Sequence, residues 1–94
     1  MKKEKIVSLE YIEKILKEKN VVYDKGKNTI VAMKESEDNG HRLKVSLIFE
    51  KIGKEIFASL DDLGWSDHNF IHVKPSEEII DEYKRRAFEI HRWN

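Results

Sequence analysis

Cysteine is missing from this 94-residue chain. Disulfides, thiolate catalysis and cysteine-rich zinc sites are therefore excluded. A charge excess is missing too, because 18 Lys and Arg offset 18 Asp and Glu. A chain whose main partner is nucleic acid usually carries a basic excess. Neutrality argues against that class, although it leaves room for a local basic patch. Glycine is scarce, and Gly26, Gly40, Gly53 and Gly64 stand apart, so there is no Gly-rich loop to cradle a phosphate. No hydrophobic run approaches the length of a membrane span. The opening "MKKEKIVSLEYI" is basic but lacks an apolar signal core, since Ser8 and Glu10 interrupt it. The expectation is a cytoplasmic protein.

Charge is abundant: charged residues make up 38% and hydrophobic residues 39%, enough for one core beneath a well-solvated surface. The length predicts a single domain over 1–94. Lysine outnumbers arginine 14 to 4, and there are only three alanines. AT-rich codons favour that usage, which points to a low-GC bacterium or one of its phages.

The spacing of Leu9, Ile12, Ile15 and Leu16 predicts a helix over about 8–19. Ser8 is its N-cap, Val7 and Ile12 form a hydrophobic staple, and Asn20 closes it in the left-handed conformation. "VVYDKGKNTIVAMKE" predicts a hairpin of Val21 to Tyr23 with Thr29 to Glu35, and "SEDNGH" a polar loop around Asn39-Gly40. In "RLKVSLIFE", Leu43, Val45, Leu47 and Phe49 alternate with polar residues, and Ile48 breaks the polar face. "EIFASL" returns the chain, "DDLGW" predicts a loop or a single helical turn, and "NFIHV" a last strand ended by Pro75. Ser76 caps a second helix with a stripe of Ile80, Tyr83, Ala87 and Ile90, widened by Ile79 and Phe88. Asp81 with Arg85, and Glu82 with Arg86, form i,i+4 pairs along it. The predicted class is α+β: an N-terminal helix, an antiparallel meander of four to five strands, and a C-terminal helix packed on one sheet face.

Several residues invite a chemical reading. In a helix His68 and His72 would share one face and one metal ion. In a strand they stand roughly 13 Å apart, with Phe70 between them on the same face. β-Branched Ile71 and Val73 favour the strand, so no shared metal is expected. Asp61, Asp62 and Asp67 lack the alternating spacing of a calcium loop. No serine belongs to a nucleophile elbow. Lys84, Arg85, Arg86 and Arg92, near His91 and Trp93, could grip phosphate and stack a base. The alternative is an ordinary solvated helix face.

Trp65 and Trp93 lie in a loop and at the chain end, where each either docks on its own core or anchors a partner. These features predict a non-catalytic protein-interaction module: an adaptor, inhibitor or regulator without cofactor or metal. Its partner is another protein, with homodimerisation an option, and its contacts are Trp65, Trp93, Ile48, Arg42 and Lys44. One rival is an RNA-binding protein or metal-independent ribonuclease using Lys84, Arg85, Arg86, His68 and His72. The other is a small-ligand or metal sensor built on the segment from Asp61 to His72.

Overall fold

Helix α1 spans Leu9–Glu18 in a computed structural model that describes residues 8–38, 40–63 and 70–92. Within these, residues 38, 41, 42, 63 and 90–92 are placed by their backbone alone. Val7, Asn39, Gly64, Trp65, Asp67, His68 and Trp93 lie outside the description. At the start of α1 the Tyr11 N–H donates to Ser8 Oγ at 3.1 Å, so Ser8 is the predicted cap. At its end Asn20 takes a φ of 61°. Its N–H donates to the Lys17 carbonyl and that of Val21 to Leu16. This is a Schellman closure, with Val21 as the apolar residue that folds back on the helix. Val21 is accordingly buried in the connecting segment, and the first strand is not Val21–Tyr23 but β1, Asp24–Lys25.

Strands β2 (Thr29–Asp38), β3 (His41–Ile52), β4 (Glu55–Leu63) and β5 (Phe70–Val73) complete the sheet. Its order is β1-β2-β3-β4-β5, and every neighbouring pair is antiparallel. With the C-terminal helix against it, the fold is α+β. Two sequence boundaries move. The polar stretch Ser36–Asp38 is strand rather than loop, because Asp38 pairs with His41 across a two-residue turn, with Gly40 at φ 81°. Asp61–Leu63 is likewise strand, paired with Lys44–Ser46, rather than loop or helical turn.

Helix α2 spans Glu77–Arg92, and the Ile79 N–H donates to Ser76 Oγ at 3.3 Å. It packs on β2, β3 and β4, with α1 beside it over β2. Ile12, Leu16, Ile80 and Tyr83 meet Val45, Leu47, Phe49, Ala58 and Leu60 in one core cluster, with Leu43 and Ala87 at its margin. Phe88 does not widen the buried stripe: it is 62% exposed, and Arg86 takes the buried position instead. Asp81 pairs with Lys19 at 3.0 Å rather than with Arg85. Lys84 Nζ donates to the Lys19 carbonyl at 2.7 Å. The end of α1 is thereby tied to α2. Both helices lie on the same side of the sheet, so among the described residues the opposite face has no helical cover.

Candidate interaction surface

Side chains alternate along a strand, so the buried set fixes the contents of the open face. Ile30, Ala32, Val45, Leu47, Phe49, Ala58 and Leu60 point to the helices. Their neighbours point away. The register makes Val31, Ile48 and Ser59 one transverse row, Met33, Ser46 and Asp61 the next, and Thr29, Glu50 and Phe57 a third. Ile48 is 37% exposed, and Met33 and Ile52 are each 48% exposed. An apolar strip therefore runs across three strands on the side without helices. Cross-strand pairs of large side chains of this kind also stabilise the sheet locally.

Carboxylates surround the strip. Asp24, Glu35, Glu37, Glu50, Glu55 and Asp61 occupy positions on this face. Among the described side chains the cation there is Lys44, opposite Glu35, and the register puts the Arg42 position opposite Glu37. Three of the five predicted contact positions, Ile48, Lys44 and Arg42, thus fall on one surface. Sequence reasoning missed Val31, Met33, Ile52 and Phe57. Met33 and Val31 were detectable as the alternate set of β2, but only once Ile30 and Ala32 were known to be inside.

His72 borders this face in an unusual conformation. Two residues, Ile71 and His72, stand opposite Ser59 alone, because Ala58 pairs with Val73 and Leu60 with Phe70. That mismatch is a β-bulge. His72 has a φ of 52°, uncommon for a residue with a Cβ. Its N–H donates to Ser59 Oγ at 3.1 Å, and its ring lies 5.7 Å from that of Phe57. The strand assignment is correct, but the predicted strict alternation through Phe70 is not. Among the described residues no group of His, Asp and Glu is placed to hold a metal ion.

Lys84, Arg85 and Arg86 of α2 already have partners. Arg85 hydrogen-bonds Glu82 and Glu89. Arg86 is 7% exposed; its Nε donates to Glu82 at 2.9 Å and its Nη1 lies 3.6 Å from Asp62, itself 4% exposed. Phe70 stands 6.0 Å from the guanidinium carbon. Burial pushes the Asp62 carboxyl above its ordinary range, with Arg86 pulling it down. Glu82 is held below the usual range by its hydrogen bond from Arg85, which outweighs burial. Arg86 joins helix to sheet, so it is not exposed in the way phosphate contact requires. A shallow cleft of about 360 Å³ opens beside it, lined by Phe70, Val73, Lys74, Ser76, Glu78, Ile79 and Glu82.

No family model, curated protein or solved structure matches the chain. No helix among the described residues is long and apolar enough to cross a membrane.

Proposed function

We propose that this protein is a protein-interaction module whose docking surface is the sheet face without helices. One observation carries the reading: the apolar row of Val31 and Ile48, flanked by Met33, Phe57 and Ile52, has no element packed over it among the described residues. Contiguous apolar surface rimmed by polar groups marks interaction sites. The rim selects the occupant. Its carboxylates would face one another in a face-to-face pair of identical chains, whereas like charges suppress association and opposite charges steer it. The fitting partner is a different protein with an apolar centre and a basic rim.

The engaged state of Lys84, Arg85 and Arg86 gives no support to the RNA reading. The test is affinity capture with three immobilised forms besides the unmodified protein. Ile48→Lys and Met33→Lys place a cation on the apolar strip, and Phe88→Lys places one on the solvent side of α2. A partner held by the unmodified protein and Phe88→Lys, but lost by both strip variants, supports the reading. A partner that survives both strip substitutions overturns it.

A further inference from the structure

We propose that the partner adds a strand to the free edge of β2, by means of an extended segment with basic and apolar residues at alternate positions. This rests on the open-face reading and specifies which part of that partner makes the first contact.

β1 pairs only with Ile30 and Val31. From Ala32 to Asp38, β2 has a strand on its β3 side and none on the other among the described residues. Two hydrogen bonds fix which backbone groups face that edge. The Thr29 carbonyl accepts from the Gly26 N–H, toward β1, and the Asn28 carbonyl accepts from the Lys51 N–H, toward β3. In an antiparallel strand the N–H and C=O of one residue point to the same side, and successive residues alternate. Ala32, Lys34 and Ser36 therefore turn their backbone groups into the β3 ladder. Met33, Glu35 and Glu37 turn theirs to the open edge, which thus offers a donor and an acceptor at every second residue. Such an edge is a template for strand addition.

Charge decides what fits. An antiparallel joining of two identical edges keeps the helices on one side, so only positions on the same face meet. The centred registers then oppose Glu35 with Glu35, Lys34 with Lys34, or Glu35 with Glu37, and like charges directly opposite are destabilising. A foreign strand with cations across Glu37 and Glu35 and an apolar residue across Met33 has no such conflict. Glu35, already opposite Lys44, would then stand between two cations in a ladder of alternating charge. Read along an antiparallel partner, the pattern is basic, any residue, basic, any residue, apolar.

The probe is an N-acetylated peptide, Lys-Thr-Lys-Thr-Val-Thr, compared with Lys-Lys-Val-Thr-Thr-Thr, which has the same composition and charge. Both are titrated by NMR into the isotopically labelled full chain. The first should bind at millimolar concentration or below, about tenfold more tightly than the second, and should slow amide exchange at Met33, Glu35 and Glu37. Glu35→Pro deletes an edge-facing N–H without removing a donor to β3, so it should keep the fold and lose about tenfold in peptide affinity. Lack of binding at millimolar peptide, equal binding of the two peptides, or unchanged binding to a folded Glu35→Pro would each overturn strand addition. The two proposals fail separately. A captured partner lost by Ile48→Lys but kept by Glu35→Pro leaves the face reading standing and removes strand addition. A partner indifferent to both Ile48→Lys and Met33→Lys removes the face reading, whatever the peptides do.

Discussion

Arg86 shows how a single residue can carry two contradictory messages in sequence. Its neighbours Lys84 and Arg85 make it one of a basic run, yet its spacing from Ile79 and Tyr83 places it on the buried stripe of α2. The stripe decides, because Asp62 at the end of β4 and Glu82 one turn back supply countercharge. Removing one member of a buried pair leaves the other charged and desolvated. Arg86→Ala should therefore cost about 3–5 kcal/mol near neutral pH, measured by denaturant unfolding. The pH dependence has a definite sign. Burial raises the Asp62 pKa, and losing Arg86 raises it further, so the folded variant binds a proton more readily than the unfolded chain. Its deficit shrinks as pH falls through that raised pKa. Glu82 lies below its usual range, so the support it gives Arg86 in the unmodified protein is lost as pH falls through the lowered value. The Asp62 effect narrows the gap between the two proteins as pH falls from about 7 toward its raised value, and the Glu82 effect narrows it further below about pH 4.5. A gap that widens would show that the pair does not couple helix to sheet as described.

Within the core, Leu47→Ala should cost about 2–5 kcal/mol, since Leu47 is fully buried beneath the helices. A melting temperature close to that of the unmodified protein would place the wrong face inside.

At the scale of elements, periodicity made the helices and the central strands legible. Ser8, Asn20 and Ser76 are helix-end residues whose side-chain or backbone geometry follows from their chemistry. The ends of the strands were not legible. "SED" and "DDL" are polar and resemble loops, but each has a paired strand alongside, and pairing supplies what propensity withholds. The bulge at Ile71 and His72 was illegible for a related reason. One extra residue in a four-residue strand leaves no periodic signature, and no glycine marks the left-handed position. That position has its own test. A β-branched side chain is least tolerant of positive φ, so His72→Val should be about 1–2 kcal/mol less stable than His72→Gly. Equal stability of the two variants in thermal unfolding would remove the bulge.

At the scale of the molecule, the two helices bury one side of a five-stranded sheet and, among the described residues, nothing is packed over the other. Sequence indicated three members of that open surface, Arg42, Lys44 and Ile48, the last as the break in an otherwise polar alternation. The rest required the register, because β2 is apolar on both faces near Ile30 and Val31 and gives no sign of which side is in. The acidic rim was hidden by a neutral total charge, since Lys14 and Lys17 of α1, Lys19 at its C-cap and Lys84 of α2 lie on the far side. The most direct measurement is methyl cross-saturation of the protein, labelled at its Ile and Met methyls, in complex with its captured partner. Met33, Ile48 and Ile52 should lose intensity when the partner is irradiated, while Ile12, Ile15 and Ile80 keep theirs. Saturation confined to Ile79, beside the cleft on the helix side, with none at Ile48, would contradict the account.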